Sequence, residues 1–160
     1  MSGRLSPTLD NEMQFFPIDN WQKEFIHCKN LNIQNYLWVI DYPTIKENPI
    51  LDATKINNIL FYSKKYDLQI VGIILHFFVQ TNIFKMLETE SKKLISVLDR
   101  VFCHGNKIGL DFIEIPFMGK TELKIKDFES SPFYDLLELI VSFSKKYSLN
   151  VFLETPFGYK

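Results

Sequence analysis

Four short apolar runs punctuate this chain at nearly even spacing: Tyr36–Asp41, Gln69–Val79, Leu110–Phe117 and Asn150–Glu154. Each is rich in β-branched or aromatic residues, and between them the apolar positions switch to a helical period. Trp21, Phe25, Cys28 and Leu31 share one stripe, entered through Asp19 or Asn20 as N-cap. Ile56, Ile59, Leu60 and Tyr66 form a second; Leu94, Val97, Leu98, Val101 and Phe102 form a third. The fourth joins Leu136, Leu137, Ile140, Val141 and Phe143, with Ser131-Pro132 as cap and first-turn proline. Strands that alternate with helices predict βαβ units, and nearly continuous apolar strands suit a parallel sheet covered on both faces.

The junctions repeat. Ser63-Lys64-Lys65-Tyr66-Asp67-Leu68-Gln69-Ile70-Val71 returns as Ser144-Lys145-Lys146-Tyr147-Ser148-Leu149-Asn150-Val151-Phe152. Each copy ends a helix with basic residues, which favour the negative end of its dipole, and then launches a strand. The interval spans two units of about 40 residues each, the kind of period a repeated architecture leaves in a sequence. One domain with a substantial core fits 160 residues, 46% of them hydrophobic. A formal net charge of −1 offers no electrostatic footprint for nucleic acid. The apolar stretch from Ile70 to Val79 is interrupted by Gly72 and His76 and is shorter than the about 20 residues that span a bilayer. No membrane partner is expected, and no signal peptide is visible at Met1-Ser2-Gly3-Arg4. Cys28 and Cys103 lack metal-ligand spacing and read as buried reduced thiols, which makes a cytoplasmic location the default.

Several local motifs occur in an order that resembles a known family. Gly3-Arg4-Leu5-Ser6-Pro7, Gln14-Phe15-Phe16-Pro17, Trp21 and Glu24-Phe25 are followed by Trp38-Val39-Ile40-Asp41 and Asn48-Pro49-Ile50. Ile115-Pro116-Phe117, shortly before Lys120-Thr121-Glu122-Leu123, and Leu153-Glu154-Thr155 complete the series. Across the whole chain this resembles the sugar phosphate isomerases/epimerases of the xylose isomerase-like TIM-barrel superfamily. The resemblance implies an α/β fold, a partial (β/α)8 barrel of strands 2 to 5 with a stub of strand 1, and helices on one face. Residues 1–160 then form a single incomplete barrel domain, since a full barrel takes about 250 residues. Half a barrel leaves two open strand edges, so stability is expected only from self-association or from a second fragment carrying the remaining strands.

The same resemblance implies metal-assisted isomerisation or epimerisation of a small sugar or sugar phosphate, with a divalent ion (Mn, Mg, Co or Zn) polarising the substrate. Glu154 matches the family's first metal-binding glutamate and is also a candidate acid/base; a helix-capping or ion-paired role is the alternative. Further ligands are expected from strands 6 to 8, so this chain alone is expected to hold the metal poorly, with weak or no activity. His76, near the end of the third barrel strand, is a second catalytic candidate, in substrate contact or proton transfer, or else a structural histidine. Substrate-binding candidates are Arg4 in the first loop, Trp38 by stacking on sugar, and Glu114 in the fourth strand. For these the competing roles are turn stabilisation, core packing and a structural ion pair respectively. Leu37 stands where related sequences tend to carry Glu. His27 and His104 are expected to be solvated. The rival from another class is a non-catalytic binding or regulatory module built on an open α/β sheet. Strand order separates the two: sequential for a barrel, with a switch point for the rival.

Overall fold

The computed structural model describes residues 5–6, 15–42, 44–122 and 131–155. Four parallel strands form one sheet: β1 (Asn35–Val39), β2 (Gln69–Ile74), β3 (Phe112–Pro116) and β4 (Asn150–Glu154). Their spatial order is sequential, β1-β2-β3-β4, with no switch point among them. The helices are α1 (Trp21–Asn30), α2 (Ile56–Tyr66), the single turn α3 (Phe77–Gln80), α4 (Glu88–Ile108) and α5 (Ser131–Tyr147). The longer helices pack on one another in chain order, α1 on α2, α2 on α4 and α4 on α5, as a continuous layer. No helix of the described residues is long and apolar enough to cross a membrane.

Register defines the two faces of the sheet. Trp38, Ile73, Ile113 and Val151 form one cross-strand row. This row faces the helices, because Trp38 lies against Trp21 of α1 with ring centroids 5.6 Å apart. Alternation puts the flanking rows on the opposite face. These are Leu37, Gly72, Phe112 and Asn150, then Val39, Ile74, Glu114 and Phe152. A register shift between Tyr36 and Leu37 sets Gly72 opposite Leu37. A Cβ at Gly72 would meet the Phe112 ring at 2.7 Å, so the missing side chain lets that ring lie over β2.

The repeated junction is real in three dimensions. After α2, Asp67 adopts a left-handed backbone, the Leu68 N–H donates to the Ser63 carbonyl at 3.0 Å, and the Ser63 hydroxyl donates to the Leu68 carbonyl. After α5, Ser148 is left-handed, the Leu149 N–H donates to the Ser144 carbonyl at 3.1 Å, and the Ser144 hydroxyl donates to the Leu149 carbonyl at 2.7 Å. Asn32 after α1 and Gly109 after α4 repeat the left-handed turn. All four helix-to-strand connections thus close by one device, which satisfies late helix carbonyls before the chain extends.

Two expectations need correction. The run Gln69–Val79 is not all strand, since β2 ends at Ile74 and the chain turns at His76 into α3. There Phe77 and Phe78 enter the core and the Phe77 N–H donates to the Ile40 carbonyl at 3.1 Å. His104 is not solvated. It is buried on α4, its Nδ1 2.6 Å from the Ile50 carbonyl, which fixes the proton on Nδ1 as the donor. The cysteines are free, with Cys28 buried and Cys103 half-buried.

Candidate active site

At the carboxyl end of the sheet, on the face away from the helices, two carboxylates meet. Glu114 is half-buried near the end of β3 and Glu154 is exposed as the last residue of β4. Glu114 pairs with Phe152 and Pro116 with Glu154, so the two acids share a face one diagonal step apart on adjacent strands. That step is about 8 Å between backbones, which two glutamate side chains close. They are near enough for the charge of Glu154 to bear on Glu114. The Glu114 main chain is held by the Leu75 N–H at 2.9 Å, and that of Glu154 by the Phe117 N–H at 2.7 Å.

Burial first, then the charge of Glu154, push the Glu114 carboxyl above the ordinary glutamate range. Both causes disfavour the ionised form, so Glu114 holds its proton more tightly than an isolated glutamate does. Among the described residues the ion pairs are Lys55–Asp52, Lys92–Glu88 and Lys146–Asp99, none of which touches this pair. The arrangement can accept a proton at one oxygen and give one from another a few ångströms away.

The other candidates separate around it. His76 leaves the sheet two residues beyond Ile74, the register partner of Glu114, and is half-buried at the same end. Trp38 lies on the opposite face and is fully buried. Its Nε1–H donates to Asn48 Oδ1 at 2.9 Å and its ring packs on Phe16, 4.9 Å between centroids, so it serves the core and presents no surface to a sugar. Arg4 lies outside the described residues. Leu37 does sit on the open face, in the row next to that of Glu114. Asp41, just past β1, is buried and accepts from the Phe16 N–H at 2.9 Å and from the Thr44 hydroxyl, a brace between three segments. Glu24 is fully buried on α1 and accepts from the Ser6 hydroxyl. Burial, with the Glu24 charge as the next contributor, raises the neighbouring Cys28 thiol above its ordinary range.

As a metal centre the site is incomplete. Glu114 and Glu154 offer two oxygen donors, whereas hard divalent cations take several oxygen or nitrogen ligands at once. No group of three or more His, Cys, Asp or Glu placed to hold a metal occurs among the described residues. The donor set does not fit the metal the family resemblance implies.

The sequence offers Glu114 either as a substrate contact or as half of a structural ion pair. Its placement between Ile113 and Ile115 was visible, but its partner depended on the register of β3 against β4. No protein-family model matches the chain, and no curated protein matches it.

Proposed function

We propose that the chain carries part of a sugar isomerase or epimerase site on a partial (β/α)8 barrel, and that its working element is the Glu114–Glu154 pair. The single observation that supports this most is the placement of two carboxylates on one face, near the carboxyl ends of adjacent parallel strands. In α/β barrels the chemistry gathers at that end. Sequential strand order and a continuous helix layer favour the barrel over a doubly wound sheet, whose ligand site needs a switch point.

In this reading Glu154, the exposed member, takes a proton from the carbon next to a sugar carbonyl. Glu114, which keeps its proton, donates to the carbonyl oxygen, giving an enediol. Isomerisation is completed when Glu154 returns its proton to the neighbouring carbon while the Glu114 carboxylate takes the proton of the other enediol hydroxyl. Epimerisation is completed when a solvent proton reaches the opposite face of the original carbon, Glu114 takes back its proton from the carbonyl oxygen and Glu154 releases its own to water. The substrate is a small sugar or sugar phosphate. No step is assigned to a metal ion, because the two carboxylates fall short of a donor set.

Hydrogen exchange at carbon tests the reading. The protein is incubated in D2O with aldose and ketose phosphates and with the corresponding unphosphorylated sugars, and the C–H resonance next to the carbonyl is followed by NMR. Loss of that signal with wild type, and its persistence with Glu154→Gln and Glu114→Gln, is the expected result. Exchange by wild type no faster than buffer, or equal exchange by both variants, overturns the proposal.

A further inference from the structure

A second site lies away from the carboxylate pair, and its argument does not depend on the isomerase reading. The connections that follow β1 and β2, together with the first three turns of α4, enclose a cavity of about 550 Å³. That is within the usual size range of small-molecule pockets. Its basic wall is made by Lys46, Lys85, Lys93 and Arg100. None of these four belongs to an ion pair among the described residues. In a chain whose formal charge is −1, four cations around one cavity, without a carboxylate partner among the described residues, are a local concentration of positive charge. The lone acid on the lining, Glu90, is occupied, since its Oε2 accepts the Leu87 N–H at 2.9 Å.

The rest of the lining is apolar where the cations are not. Phe77 is buried, and Met86, Leu94 and Val97 are half-buried. Lys93, Leu94, Val97 and Arg100 fall at helical spacing, so one stripe of α4 supplies both the charge and the grease. The cavity walls are braced. The Tyr42 N–H donates to Gln80 Oε1 at 2.6 Å, tying the two connections together. Thr121 donates to the Thr81 carbonyl and accepts from the Ile83 N–H at 3.4 Å, fixing the far side. Arg100 is oriented by its own contacts, with Nε 3.3 Å from the Ser96 carbonyl and Nη1 3.5 Å from that of Leu51.

We infer that this cavity binds a small phosphomonoester with an apolar or planar body, the phosphate held among Lys46, Lys85, Lys93 and Arg100 and the body laid on Phe77, Leu94 and Val97. A guanidinium and several ammonium groups suit a dianion, and charge-assisted hydrogen bonds are the strong ones.

Phenyl phosphate is the probe, titrated into the 15N-labelled protein and followed by amide chemical shifts. Saturable shifts confined to the segments 42–46, 77–86 and 90–100 are expected. Phenol and inorganic phosphate, each carrying half of the chemistry, should bind about tenfold more weakly or worse, as should the double variant Lys93→Glu/Arg100→Glu. Lys46→Gln/Lys85→Gln removes the charge supplied by the two connections rather than by α4 and should weaken binding in the same sense, which keeps the test intact if the first variant loses its fold. Lys64→Glu/Lys65→Glu, on α2, should leave binding unchanged. Shifts that do not saturate, that centre on other residues, or that respond equally to the α2 variant overturn the proposal. So does inorganic phosphate binding as tightly as phenyl phosphate.

Discussion

The two outer strands of this sheet have the same length and opposite fates. β1 is buried at three of its five residues, although it lies at an edge, whereas β4 has none buried. A walk along one row of the face away from the helices shows the gradient: Val39 is 1% exposed, Ile74 5%, Glu114 half-buried and Phe152 55%. The difference lies in what surrounds each strand. β1 is wrapped by Phe16, Trp21 and Phe25. It is also locked by Asn48, whose Nδ2 donates to the Val39 carbonyl at 3.0 Å while its Oδ1 accepts from the Trp38 indole. β4 has α5 on one side and, among the described residues, no comparable cover on the other. The first edge is therefore held by side chains and a buried amide in the place of a further strand. The carboxylate pair lies on the less covered half.

The sharpest way to break that contrast is Trp38→Ala. Removing a fully buried indole from the wrapped edge should lower stability by about 3–5 kcal/mol, measured by urea unfolding. Leu153→Ala on the open edge should cost far less, and equal losses would show that the two edges do not differ. Asn48→Ala comes next. It strands the Trp38 N–H and the Val39 carbonyl inside the protein, for about 2–3 kcal/mol. Between the edges, Gly72→Ala should cost about 1 kcal/mol, because the half-buried Phe112 ring can tilt away from the new methyl group.

Glu114→Gln tests the open side by its pH dependence. The Glu114 carboxyl is raised, chiefly by burial and then by Glu154, so the folded chain holds its proton more tightly than the unfolded chain does. Its contribution is complete below the unfolded glutamate range, about pH 4, and is lost as pH rises through the folded value. Wild type should therefore lose stability relative to Glu114→Gln as pH climbs toward neutrality, and parallel urea midpoints across that range would refute the pairing. The smallest change belongs to Leu153→Lys, 43% exposed in the parent. Stability should move by less than about 0.5 kcal/mol, while sedimentation should show less self-association.

Much of the architecture was legible because it is local. Helical stripes and apolar runs placed the four strands and the main helices, and the Ser63 and Ser144 segments announced a shared junction. The failures have physical causes as well. Phe77 and Phe78 continue an apolar run, and periodicity cannot distinguish a buried turn of helix from the end of a buried strand. Trp38 shares the parity of Tyr36, so its helix-facing side followed from alternation, once the direction of one of them was known. His104 reads as solvated in the sequence because its partner, the Ile50 carbonyl, is remote along the chain. Glu114 and Glu154 come to share a face, and Lys46 and Arg100 to line one cavity, only through register and packing that no spacing records.

The sequential strand order also bears on how the chain reaches its native state. Each strand hydrogen-bonds to the next one in sequence, so every pairing in the described sheet joins residues 34 to 40 positions apart and none needs the two ends of the chain to meet, while each junction is closed by contacts a few residues apart. Folding speed tracks the sequence separation of native contacts, and chains built of neighbouring units form by propagation. The wrapped β1–β2 unit is the natural place for ordering to begin, with β3 and β4 added in turn. Amide protection should fade along the same path, so that the strand carrying Glu154 is the last to lock and the first to let go.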